Sequence, residues 1–280
     1  MTTRLVQGAT FDLDDTLWCG MKVIRKASDA FHAFIEARSP ALAAAFPPQE
    51  FTRLMGQFQS DPELVDKAHD YTFLRKHTLR HCLTNLDATA LALEDEEAFL
   101  EEAFQAFLVP RSKPELFDGV EELLNDLHTH LSAARKHALA DSTTADAPLM
   151  GVITNGNCST EFLPLYFNQH LRFFVSAESA GCAKPARVIF DAALAYFPPS
   201  MDPSEIVHVG DHYEYDVVGA KDVGMRTIWV NAKWPGDDVY SRDEMDAATA
   251  EKYPAADAIV RHVSAVSNVV QRWNDAVTKN

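Results

Sequence analysis

Short apolar runs alternate along the chain with longer stretches in which apolar side chains recur every three or four positions. The runs fall at 6–13, 150–154, 173–176, 206–210, 226–230 and 258–260. Helical periodicity fills 114–128, 159–168, 185–197 and 215–223, with a last helix at 264–277. Such alternation predicts an α/β fold, a mostly parallel sheet flanked by helices. Gly224 stands where the 215–223 helix should stop, in the left-handed conformation that glycine accepts.

One interval breaks the alternation. Residues 18–112 hold no convincing strand and at least four amphipathic patterns. One covers 26–38, with Ala27, Ala30, Phe31, Phe34 and Ile35 on one face. A second begins at Asp61-Pro62, a capping residue followed by proline at the first helical position. A third, 94–109, carries its acids in the first turn, where they suit the helix dipole. The interval is too long for an ordinary crossover connection, so it reads as an all-helical domain inserted after the first strand. The expected division is 1–17 with 113–280 as the sheet domain and 18–112 as the helical one. Phe31, Phe34, Phe51, Phe58, Tyr71 and Phe73 are candidates for a pocket there, though core packing explains most of them. Two other segments read as loops: 132–148, rich in Ala, Ser, Thr and Asp, and 232–255, charged and weakly periodic.

Composition narrows the classes. At 280 residues and 47% hydrophobic content the chain can bury a full core. A net charge of −16 argues against nucleic acid or an anionic membrane as a partner, while leaving room for a small phosphorylated ligand beside a local cation. No apolar run approaches the roughly 20 residues that span a bilayer. The first residues lack the apolar stretch of a signal peptide, and Cys19, Cys82, Cys158 and Cys182 match neither a zinc site nor a disulfide framework. A cytoplasmic protein is the expectation. Cys19, Cys158 and Cys182 each lie near one of the polar clusters below; small buried hydrophobes explain them better than a redox role.

Four polar clusters sit at the C-terminal ends of the strands, where open parallel sheets place their binding crevice. Asp12 and Asp14, with Thr16 after them, end the first; in extended chain, residues two apart project to one side, so the pair can aim two carboxylates at one point. Crowding raises the pKa of one, leaving an anion beside an acid, and a divalent cation would relieve the repulsion. Thr154-Asn155-Gly156 follows the second strand, as an anion cradle or a plain strand-to-helix turn. Lys184-Pro185 precedes a helix, giving the ammonium a defined launch point if it is not merely solvated. Gly210-Asp211 ends the fourth strand, and Asp216 follows, either backing the site or capping a helix. Oxygen ligands from Asp12, Asp211 and a backbone carbonyl suit Mg²⁺.

In this order the clusters resemble the four motifs of the haloacid dehalogenase-like (HAD) hydrolase superfamily: Asp12-Leu13-Asp14-Asp15-Thr16-Leu17, Thr154-Asn155-Gly156, Lys184-Pro185, and Gly210-Asp211 with Asp216. The helical insertion resembles that family's cap, and Asp15 stands where glycine is commonest. The resemblance implies a Rossmann-like core and a Mg²⁺-dependent phosphatase for a small phosphorylated metabolite. Asp12 would be the nucleophile and Asp14 the general acid and base, and Asp12, Asp14 and Asp211 would hold the Mg²⁺. Lys184, Thr154, Asn155 and Gly156 would hold the phosphate, with Asp216 and Thr16 supporting them, and the cap would close over the site and choose the substrate. Relatives that displace halide lack an acid at the position of Asp14, which disfavours a 2-haloacid dehalogenase. A phosphomutase and a catalytically idle scaffold are the alternatives.

Overall fold

A computed structural model of the chain describes residues 4–86, 95–138 and 149–279. The chain divides into two compact units: Met1–Cys19, Leu116–Thr154 and Leu165–Asn280 form one, and Gly20–Glu115 with Asn155–Pro164 form the other.

The first unit is built on six strands: β1 Gly8–Phe11, β2 Met150–Thr154, β3 Leu171–Ser176, β4 Ile206–Gly210, β5 Arg226–Val230 and β6 Ala258–Val260. Their order is β3-β2-β1-β4-β5-β6, and every pairing is parallel. Successive strands therefore step one way from β1 to β3 and the other way from β4 to β6. The reversal lies between β1 and β4, whose register sets Phe11 against Val209. Strands β1, β2, β4, β5 and β6 are buried at every residue, which is why they read as unbroken apolar runs. On one flank Ile153, Val175, Ile189, Phe190, Phe197 and Ala220 share a core. The C-terminal helix Val266–Thr278 is tied to the chain leading into β1, because Asn274 Oδ1 accepts from the Val6 amide at 2.7 Å and its Nδ2 donates to the Val6 carbonyl at 3.0 Å.

Several boundaries differ from the periodicity for identifiable reasons. The helix expected from 114 begins at Val120 and runs to Ala138, because Gly119 takes a φ of +78° that no helix contains. Its last residues occupy 132–138, half of the expected loop; 139–148 lies outside the described residues. Pro164 splits the expected 159–168 helix into a 3₁₀ turn Thr160–Phe162 and the helix Leu165–His170, holding Leu163 extended. Gly224 takes a φ of +90°, as its place past a helix end requires. The 232–255 segment contains the short helix Ala247–Lys252, and its Trp234 and Tyr253 pack with Tyr213 and Trp229.

The second unit is helical: Gly20–Arg38, Pro40–Ala45, Pro48–Gln59, Tyr71–Thr84 and Glu96–Arg111. Asp61 caps as expected, but only the 3₁₀ turn Pro62–Lys67 follows it. Phe31, Phe51, Leu54, Leu79, Phe99, Phe104 and Phe107 make its core, with Phe34 and Phe58 packed at the margin. Among the described residues no helix is long and apolar enough to cross a membrane.

Candidate active site

The strand reversal is where an open parallel sheet leaves a crevice at its C-terminal edge, and Asp12 and Asp211 stand there at the ends of β1 and β4. The Asp12 amide donates to the Val209 carbonyl at 2.9 Å, which prolongs the ladder one residue and fixes the Asp12 backbone. Asp15 then takes a φ of +61°. Glycine meets that demand most cheaply and aspartate tolerates it, so the tight turn survives the substitution.

Lys184 is 4% exposed. Its Nζ donates to Asp12 Oδ1 at 2.5 Å, to Asp216 Oδ1 at 2.6 Å and to the Ile153 carbonyl at 2.8 Å. An ammonium has three protons, and three acceptors from β1, β2 and the turn after β4 now define its position. Asp216 sits inside a π-helical turn, Tyr213–Val218, a backbone form that recurs at functional sites. Its Oδ2 accepts from the His212 amide at 2.9 Å, and His212 rather than Asp216 caps the turn. Gly210 lets Asp216 in: a Cβ there would stand 2.3 Å from the Asp216 carboxyl carbon.

Three carboxylates, from Asp12, Asp211 and Asp216, offer oxygens all within 4.8 Å of one another. Burial pushes Asp12 up to about 8; Lys184 offsets part of this, while the Asp216 and Asp14 anions add to it. Burial, with Asp216 and Asp15 nearby, likewise raises Asp211 to about 7. Burial works against ionised Asp216 too, yet Lys184 and His208 outweigh it and hold that carboxyl below the usual range. The same carboxylates keep Lys184 above its ordinary value despite its burial.

Other groups fall around this centre. Asp14 is half-buried, and its Oδ1 accepts from the Trp18 indole N–H at 2.8 Å; its carboxylate is not one of the close-set three. Thr16 is buried and its hydroxyl reaches Asp211 Oδ1 at 3.4 Å. Thr154 is buried at the end of β2, whereas Asn155 and Gly156 go with the helical unit.

The apolar pattern hid three contributors. His208 lies within β4, its Nδ1 2.8 Å from the Thr10 hydroxyl and its Nε2 3.4 Å from Asp216 Oδ1. Burial holds it below its usual range, so it is neutral, and one tautomer serves both contacts: Nδ1 accepts from Thr10 while Nε2–H faces the carboxylate. A polar residue in an otherwise apolar run was the available signal. Trp229, on β5, donates its indole N–H to the Asp211 carbonyl at 2.7 Å and packs on Tyr213 and Tyr253. Trp18 holds Asp14 as described, and nothing in its spacing announces that.

The profile of the haloacid dehalogenase-like hydrolases matches residues 6–224. The chain belongs to that family. Among curated members, it is 29% identical to the 5-amino-6-(5-phospho-D-ribitylamino)uracil phosphatase YigB of Escherichia coli, over 80% of this chain and 83% of that one. It is 33% identical to haloacid dehalogenase-like hydrolase domain-containing protein 3 of Xenopus laevis, over 52% of this chain and 62% of that one. Among solved structures, a 2-haloacid dehalogenase from Pseudomonas syringae superposes with a TM-score of 0.72 at 28% identity, covering 96% of this chain and all (100%) of that one. A HAD phosphatase from Thermococcus onnurineus, at 17% identity and a TM-score of 0.55, shares the fold over 94% of this chain and 97% of that one.

Proposed function

We propose that this HAD-like hydrolase is a Mg²⁺-dependent phosphatase acting on a small phosphorylated metabolite. The observation that carries the reading is Asp12, buried against Lys184 beside two further carboxylates, with a second acid two residues on. The phosphatase names of its relatives support it.

The donor set is oxygen-only and crowded, and burial, with the neighbouring carboxylates, raises two of its carboxyls into the neutral range, which fits a hard divalent cation. Asp12, Asp211 and the chain around Asp14 would hold Mg²⁺, with Asp216 and Thr16 steadying them. Bound there, Mg²⁺ would supply positive charge to the phosphoryl oxygens and favour the ionised form of Asp12.

An Asp12 carboxylate oxygen attacks phosphorus, the ester P–O bond breaks, and the leaving alkoxide takes a proton from Asp14. Asp14, now an anion, accepts a proton from water as that water attacks the aspartyl-phosphate. The Asp12–phosphorus bond breaks, and phosphate leaves. Trp18 orients Asp14 for both transfers. Lys184 and Thr154 neutralise and bind the phosphoryl oxygens, and the family motif adds Asn155 and Gly156. The demand is large, since uncatalysed monoester hydrolysis calls for up to ~10²¹-fold acceleration.

Asp12→Asn tests the reading: the variant should fold, by circular dichroism, and lose turnover of p-nitrophenyl phosphate in Mg²⁺. Undiminished turnover would sink it. The likeness to a 2-haloacid dehalogenase favours a second reading, haloacid hydrolysis through the same Asp12. Halide leaves without a proton, so Asp14 has no task in that reaction. Chloride release from 2-chloropropionate would decide for it.

A further inference from the structure

Strands β5 and β6 end beside a cavity of about 600 Å³, lined by Ala232, Asp237, Asp238, Tyr240, Arg261 and His262. Its volume lies within the ~300–1,000 Å³ of small-molecule sites. Ala232 comes shortly after β5, and Arg261 and His262 follow directly on β6.

The backbone around the cavity is pinned. Val239 and Ile259 exchange amide-to-carbonyl bonds at 2.7 and 2.9 Å, which seats Asp238 and Tyr240 at the edge of the sheet. The Arg261 amide donates to Asp238 Oδ1 at 2.8 Å. The Trp234 indole donates to the Asp237 carbonyl at 3.1 Å, and the Trp273 indole to the Tyr240 carbonyl at 2.7 Å. His262 Nδ1 accepts from the Ser264 amide at 3.3 Å. An amide can only donate, so the proton of a neutral His262 ring stays on Nε2, where it is a donor.

The charged tips are not tied down in this way. Arg261 and Asp237 are exposed, and among the described residues neither the guanidinium nor the Asp237 carboxylate has a side-chain partner. Opposite charges thus line one cavity without closing on each other. An exposed ion pair is worth only about 0–1 kcal/mol, so keeping them apart costs the free protein little. Two carboxylates repel a phosphate or a lone carboxylate, and the guanidinium repels a bare cation. A molecule that carries both signs meets neither penalty, and its carboxylate matches the guanidinium fork.

We propose that this cavity binds a small zwitterion of the amino-acid class, its carboxylate on Arg261 and His262 and its ammonium on Asp237 and Asp238. The site shares no residue with the Asp12 centre and does not depend on the phosphatase reading.

The test is calorimetric titration of the full chain, in EDTA at neutral pH and constant ionic strength, with each common L-amino acid in turn. Saturable binding of at least one is expected. Its affinity should fall at least tenfold in Arg261→Gln and at least tenfold in Asp237→Asn, since each substitution removes the partner of one charge. The decarboxylated and deaminated forms of the bound amino acid should bind wild type at least tenfold more weakly than the parent does. No saturable binding of any amino acid overturns the proposal. So does a smaller fall in either variant, or an analogue of single charge that matches its parent. Should a variant not fold, the two analogues decide alone, because they are measured on the wild-type chain. Binding in EDTA involves no turnover at Asp12, so either proposal can fail without the other.

Discussion

Lys184 and Arg75 are buried to a similar degree, 4% and 8% exposed, and live under opposite electrostatics. Lys184 meets two carboxylates and a carbonyl; Arg75 meets two aromatic faces and another arginine. A compensated charge is a positioned reagent, immobile and held above its usual pKa. An undercompensated one has its pKa depressed instead. Burial alone does not separate these cases; the sign of the neighbours does.

The largest effect belongs to the compensated side. Asp12→Asn should lower turnover of an aryl phosphate by ~10⁴-fold or more, because loss of the nucleophile removes the step the other groups serve. Asp216→Ala comes next. It strips Lys184 of one anion and His208 of its acceptor, and urea denaturation should register a loss of ~3–5 kcal/mol. Arg75→Met, at equal burial, should leave stability unchanged or raise it by about 1 kcal/mol in the same assay. Matching losses at the two positions would break the comparison.

Trp229→Phe sharpens it further, by keeping the aromatic packing and deleting the N–H that fixes the Asp211 carbonyl. Mg²⁺ affinity measured by calorimetry should fall about tenfold, the lower end for a residue that orients a ligand. The smallest effect concerns pH. Asp12 and Asp211 sit at about 8 and about 7, above their ordinary value of 3.8, so the folded metal-free protein holds protons that the unfolded chain has shed. Their contribution is complete below pH ~4 and is lost as pH rises through 7 and 8. Mg²⁺ favours the ionised forms, so the gap in melting temperature between Mg²⁺ and EDTA should widen from pH 6 to pH 8. A gap that narrows would contradict the assignment of these carboxylates to the metal.

Much of this was legible in the sequence because parallel strands buried on both faces write themselves as apolar runs, and their ends are polar by necessity. Six strand cores, the helical insertion and the Gly224 stop follow from that alone. What escaped depends on contacts between distant segments. Trp229 and His208 look like strand filling until β4 and β5 are placed beside the Asp211 turn. Residues 155–164 join the helical unit although they follow β2, which no local pattern reveals. Arg75 and Arg111 were the hardest, because an arginine on a helix reads as a solvated face unless the opposite stripe is known to be filled.

The two hydrogen bonds between Val6 and Asn274 span 268 positions of the chain. The strand that carries Asp12 precedes β2 and β4 along the chain, yet it is seated between them and fastened by the helix Val266–Thr278. The helical core, from Ala27 to Phe107, needs only nearby sequence and can close early. Local contacts thus favour assembly from the insertion outward, with the site at Asp12 expected to form late. A nascent chain stalled before Asn274 would present a finished helical unit attached to an unfinished active site.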